Sequence, residues 1–185
     1  MVSIDTVYQK VLMFANKEQR GYITPQEFNM FADHAQKEIF EQYFYDLNQF
    51  SRVPGNSGEY SDIIHNINEK VAIFETTGTI AGTNITAPNF YRLGTVICNG
   101  NEVEEVQQNE ILYINQSPLT KPSITRPVYV RTGELTVDLH PTGITSVTCT
   151  YIARPTKPSW GYVVVLGKAM YDSGNTTNFE LHTAE

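Results

Sequence analysis

Apolar residues recur at helical spacing through the front of the chain and at strand-like spacing behind it, with the change near Gly78. From Ser3 to Glu18 the positions Ile4, Val7, Val11, Leu12, Phe14 and Ala15 share one side of a predicted helix, which Ser3 can cap and Gly21 ends. Thr24-Pro25-Gln26-Glu27 then reads as a helix start: Thr24 as N-cap, Pro25 in the first helical position and Glu27 closing a capping box. The stripe Phe28, Phe31, Ala32, Ala35, Ile39, Tyr43, Leu47, Phe50 extends that helix to about residue 50. Phe40 and Phe44 widen its apolar face. Two readings account for the width: a thick core beneath two neighbouring helices, or an interface between subunits, where aromatics are enriched. Residues 54–58 read as a loop, and Tyr60, Ile63, Ile64, Ile67, Val71 and Phe74 as the inward side of a third helix.

Beyond Gly78, Thr, Val, Ile and Tyr run in short stretches between Gly, Pro and Asn, the spacing of a sandwich or barrel. Phe90 to Cys98 leads into Asn99-Gly100, a strong hairpin signal, with Glu102 to Val106 returning. Further strands are predicted at 111–114, 127–131, 134–139, 144–152, 160–166 and 168–171. The fold class is therefore α+β: a small antiparallel helical bundle (1–77), an inserted or appended antiparallel β sandwich or barrel-like domain (78–172), and a segment (173–185) returning towards the helices. Thr183 has the character of one more N-cap.

Composition narrows the possible uses. Hydrophobic residues make up 41% and charged residues 18%, which excludes a disordered chain. The net charge of −7 comes with no basic stripe of the kind that neutralises phosphates. No apolar run approaches the roughly 20 residues of a membrane span, and Asp5 before the first apolar stretch argues against a signal peptide. The sequons at Asn84, Asn115 and Asn175 then read as chance matches. Cys98 and Cys149 lie in predicted strands and read as buried thiols.

Chemistry is sparse. Asn16 to Glu27 has the spacing of an EF-hand loop, but Arg20 stands where an oxygen ligand is required, and helix entry explains the same residues. His34, His65, His140 and His182 are scattered, Glu104-Glu105 reads as a solvated strand end, and no nucleophile elbow or phosphate loop is present. Trp160 with Tyr151 and Tyr162 offers a possible sugar-stacking platform, although aromatics in a β core are commoner. The chain is expected to be no enzyme, with no catalytic or metal residues and no cofactor. Its candidate interface residues are Phe40, Phe44, Tyr45 and Trp160.

The segments 2–8 (VSIDTVY) and 16–28 (NKEQRGYITPQEF) resemble the opening of a family of small virion structural proteins of tailed bacteriophages. So do 117–122 (SPLTKP), 127–131 (PVYVR) and 147–152 (VTCTYI) with Pro155, Pro158 and Trp160. Helices with an inserted β domain are similar to the adaptor or ring proteins that join head to tail beneath the portal. That resemblance implies a homo-oligomeric ring, commonly of twelve copies, touching portal and tail proteins. DNA would pass through without sequence-specific binding, and no membrane would be involved. The expected location is the virion, after assembly in the host cytoplasm. The alternative is another virion part, a tail or decoration component whose β domain binds a receptor or glycan.

Overall fold

The computed structural model describes residues 2–17, 22–52, 62–144 and 146–182. The chain is α+β, and these residues form four α-helices and nine strands in two compact units. One unit is discontinuous, 1–73 with 155–185, and the other, 74–154, is inserted into it. The expected insertion is thus present, but its second boundary lies at Arg154 and not near residue 172.

In the discontinuous unit, α1 (Ile4–Lys17), α2 (Pro25–Phe50) and α3 (Ile63–Ala72) precede the insertion. The capping box at the start of α2 forms as the sequence predicts: Thr24 Oγ1 accepts from Glu27 N (3.3 Å), and Glu27 Oε2 accepts from Thr24 N (2.9 Å). The Thr24 N–H and then the Thr24 hydroxyl (2.7 Å), both donating to Glu27 Oε2, hold the Glu27 carboxyl below its ordinary pKa. Asp62 caps α3, accepting from Ile64 N at 3.0 Å. Ile4, Tyr8, Phe28, Ala32, Phe40, Tyr43 and Ile67 are buried. Phe14, Phe31 and Ile63, all assigned inward by periodicity, are instead exposed. Tyr60, the 54–58 loop, Gly21 and Thr183 lie outside the described residues.

After the insertion the chain returns to these helices through polar side chains. Gln36, 1% exposed, donates from Nε2 to Thr156 O (2.8 Å) and accepts from Glu180 N at Oε1 (3.0 Å). Asn29, two turns earlier on α2, accepts from Trp160 N (2.7 Å) and donates to Trp160 O (3.2 Å). Backbone bridges Ser159–Thr177 and Val2–Phe179 complete the attachment. Strands β8 (Tyr162–Val165) and β9 (Lys168–Tyr171) form a separate two-stranded sheet in this unit, not part of the β domain as expected.

The inserted unit holds β1 (Glu75–Ala81), β2 (Asn84–Thr86), β3 (Phe90–Cys98), β4 (Asn101–Glu105), α4 (Glu110–Gln116), β5 (Val128–Arg131), β6 (Val137–His140) and β7 (Val147–Ala153). Its strand order is β2-β1-β7-β3-β4-β5-β6. The outermost members approach each other: Val137 N donates to Thr83 O (2.8 Å), Ile85 N to Leu135 O (2.9 Å), and Asn84 bridges Thr136. The sheet is therefore nearly closed, which leaves little unpaired edge. Ile80, Ile85, Val96, Cys98, Val103, Tyr129, Val137, Leu139, Val147 and Cys149 fill one core. Asn99 and Gly100 both take positive φ, as the Asn-Gly hairpin predicts.

Two local expectations change. Residues 111–114 are helical: Asn109 Oδ1 accepts from Glu110 N (3.0 Å), and Ile111 and Ile114 face Val106, Val128 and Val130. This helix lies in the connection between β4 and β5, which pair in parallel, so the sheet is not purely antiparallel. Strand β5 is consequently covered on both faces, by α4 over Val128 and Val130 and by the sheet core around Tyr129.

Cys98 and Cys149 are buried free thiols on neighbouring strands, and burial pushes the Cys149 thiol up. Gly78 lies opposite Cys149, where a Cβ would come 2.9 Å from Thr86 O and 3.2 Å from Cys149 Sγ. Only a glycine fits that crossing without a shift.

The Gln36 contacts give a direct stability test. Gln36→Leu leaves Glu180 N and Thr156 O without their partner and should cost about 2–4 kcal/mol in urea unfolding. Lys37→Ala, one residue on and exposed, should cost less than about 0.5 kcal/mol. A loss below about 1 kcal/mol for Gln36→Leu would mean that the return segment is held by other contacts.

Candidate interaction surface

The four residues singled out from sequence fall into two groups. Phe40 (2% exposed) and Trp160 (3% exposed) are interior side chains of the discontinuous unit. Phe44 is half-buried with its ring edge-on to Phe40, centroids 5.0 Å apart at 75°. Tyr45 alone of the four is exposed. The width of the aromatic face therefore serves packing at Phe40 and Phe44, and the outward apolar residues are different ones.

Trp160 explains why an aromatic-rich chain is not a sugar platform at this point. Its Nε1 donates to Asp5 Oδ1 (2.9 Å), and its ring lies against Tyr8 (4.4 Å), Tyr171 (5.7 Å) and Tyr162 (6.0 Å, 20° between planes). Both ring faces and the N–H are thus spent inside the unit. Tyr151 belongs to the other unit, where it is buried and donates to Pro88 O. Beside Trp160 runs a cleft of about 530 Å³ lined by Tyr8, Gln9, Leu12, Tyr22, Lys168 and Tyr171. Burial, and then the hydroxyl of Tyr22 beside it, pushes the Tyr8 phenol well above its usual range.

Outward, α2 presents Met30 (72% exposed), Phe31 (68%) and Tyr45 on one side, with Glu27, Glu38 and Glu41 among them. At 100° per residue these positions fall on a single face. The second outward group is the β8–β9 hairpin. Its register pairs Val163 with Met170 and Val165 with Lys168, which sets those four side chains on one face. Tyr162, Val164, Ala169 and Tyr171 take the other, whose root meets Trp160. Leu166 at the tip is 99% exposed.

The turn itself is unusual. Leu166 (φ 51°) and Gly167 (φ 76°) both take left-handed conformations, as a two-residue hairpin loop demands. Among the described residues, the other non-glycine residues with positive φ are Asn89 and Asn99, which tolerate it; a leucine is disfavoured there. Sequence reading missed this hairpin as a surface because it counted 160–171 among the strands of the β domain. The available signal was Leu-Gly where Asn-Gly is usual, after a valine run lacking polar alternation.

In the inserted unit, Tyr129 donates to Glu105 Oε2 (3.0 Å) and Glu104 lies 4.0 Å from Arg126. Burial first, then the Glu105 contact, pushes the Tyr129 phenol up to about 12. These groups line an open depression with exposed carboxylates. Among the described residues no three His, Cys, Asp or Glu side chains converge as metal ligands would, and no helix is long and apolar enough to cross a membrane. No protein-family model matches the chain, and no curated protein matches it.

The EF-hand spacing meets a competing use of its last ligand. Glu18, Arg20 and Gly21 lie outside the described residues, but Glu27 Oε2 already accepts from both Thr24 N (2.9 Å) and Thr24 Oγ1 (2.7 Å). Calorimetric titration with millimolar calcium should give no saturable heat. A binding isotherm abolished by Glu27→Gln would overturn the helix-entry reading.

Proposed function

We propose that this chain is a structural subunit of a tailed-phage particle, a head-to-tail connector that assembles into a homo-oligomeric ring around the DNA channel. In this reading α1, α2 and α3 make the small antiparallel bundle, and portal and tail proteins are its neighbours. The observation that carries the proposal is the apolar surface turned outward by the discontinuous unit: Met30 and Phe31 on α2, and Val163, Val164, Leu166 and Met170 on the hairpin. Grouped outward apolar side chains mark interaction surfaces, and a subunit of a permanent assembly covers them. The resemblance of the opening segment and of the later strands to phage virion proteins supplies the kind of assembly.

Electron microscopy of the purified chain should show closed rings, and an antibody against it should label phage particles on the axis between head and tail. Monomers at high concentration would defeat the proposal. Peripheral labelling would instead favour the tail or decoration role.

A conduit also has an electrostatic requirement. DNA must slide, so a wall of net negative charge suits it better than a phosphate-gripping one. Duplex DNA should bind weakly and without sequence preference even at about 50 mM salt, as read by fluorescence anisotropy. A submicromolar, sequence-selective complex would sink the channel role.

A further inference from the structure

We infer that the β8–β9 hairpin is an intersubunit arm, and that its docking site is the outward face of α2 on a second copy of this chain. The inference rests on the ring-assembly reading and names the surfaces that would make the ring.

Three observations carry it. The first is chemical complementarity. The face of the hairpin turned from Trp160 carries Val163, Val165 and Met170 with Lys168, the hairpin's only charged residue, which also borders the Trp160 cleft. The outward face of α2 is apolar at Met30, Phe31 and Tyr45 and acidic at Glu38 and Glu41. An apolar strip bearing one cation thus meets an apolar strip bearing carboxylates, and such pairing fixes register and excludes the reverse contact of like faces. Two hairpins, or two α2 faces, would bring like charges together.

The second observation is size. Four-residue strands extend about 13 Å, and the helix rises about 15 Å from Phe31 to Glu41. With Lys168 opposite Glu38, Val163 and Met170 stand about 7 Å from it in the direction of Phe31. The third is the turn. Leu166 holds a left-handed conformation that asparagine would adopt more readily, and inside its own chain the exposed side chain gains nothing for it. A leucine at the tip has a use when a neighbouring subunit covers it.

The surfaces are unlike each other, so the contact is head-to-tail. Such contacts generate rings when the rotation closes. Of the outward α2 residues only Glu27 belongs to the capping box; Met30, Phe31, Glu38, Glu41 and Tyr45, and the hairpin residues, take no part in it or in the Gln36 and Asn29 contacts that hold the unit together.

The test uses the full-length chain and sedimentation velocity. Wild type should sediment as a closed oligomer. Lys168→Glu should weaken assembly at least tenfold and shift the boundary to monomer, and Glu38→Lys with Glu41→Lys should do the same. Combining all three substitutions should restore the oligomer. Leu166→Asn should match or exceed the wild-type melting temperature while weakening assembly, which separates docking from folding. Oligomers unaffected by Lys168→Glu, or a triple variant that stays monomeric, would overturn the hairpin assignment and leave ring assembly standing. A wild type that is monomeric at every concentration would overturn both.

Discussion

The discontinuous unit depends on one constraint: a chain interrupted by an inserted domain must be tied back to the helices it left, and the returning backbone must find partners for its buried polar groups. The segment from Pro155 to Gly161 meets that requirement residue by residue. Pro155 and Pro158 are buried and have no N–H to satisfy. Thr156 N donates to Glu180 Oε2, Ser159 N to Thr177 O, Trp160 N to Asn29 Oδ1 and Gly161 N to Thr176 Oγ1. Asn29 and Gln36 act as a strand partner would, although they project from a helix. Their amides each present a donor and an acceptor, so one side chain can serve two backbone groups. Gly161 then passes so close to Asn175 and Asp172 that a Cβ would lie 2.6 Å from their backbone atoms. That crowding directs the chain into β8, and so sets where the hairpin stands.

Local signals in the sequence were read well because they are satisfied locally. The Thr24–Glu27 box and the Asn99-Gly100 turn each lie within four residues, and both form as predicted. The stripe on α2 was half legible. Phe28, Ala32 and Tyr43 are inward, but Phe31 and Ala35 are outward because helical spacing counts apolar positions without knowing how wide the neighbouring surface is. Residues 111–114 were misread for a related reason. A short apolar run fits either period, and the helix is decided by the Asn109 cap and by the surface of β5 beneath it.

Long-range pairing was not legible at all. Thr83 and Val137 are joined by a hydrogen bond that makes the difference between an open sheet and a nearly closed one, yet no pattern near either residue signals it. The same holds for Cys98 and Cys149. Their strands are neighbours, with Val96 opposite Cys149 and Cys98 opposite Val147, but composition showed only that both thiols would be buried. The domain boundary was misplaced because β8 and β9 look like any other strands in sequence. What assigns them to the helical unit is Trp160, whose contacts with Asp5, Tyr8 and Asn29 tie the hairpin's root to α1 and α2.

The candidate interface follows from the same division of labour. Trp160 and Phe40 are the kind of side chain that marks an interface hot spot, large and aromatic. Both are consumed by the interior, Trp160 against Tyr8, Tyr162 and Tyr171, and Phe40 against Phe44. The surface left for a partner is built from residues that a core would accept equally well: methionine, valine, leucine and a phenylalanine on the outer side of α2. An exposed patch of that composition costs solubility unless the chain also limits what can cover it. Here the limit is charge. The acids Glu27, Asp33, Glu38, Glu41 and Asp46 on α2 face only Lys37 as a strong cation on that helix, and Lys37 is held by Asp33 at 2.8 Å. The excess of acids along α2 favours an apolar surface that brings a cation. The hairpin is such a surface, which makes one orientation of self-contact favourable and disfavours the symmetrical ones.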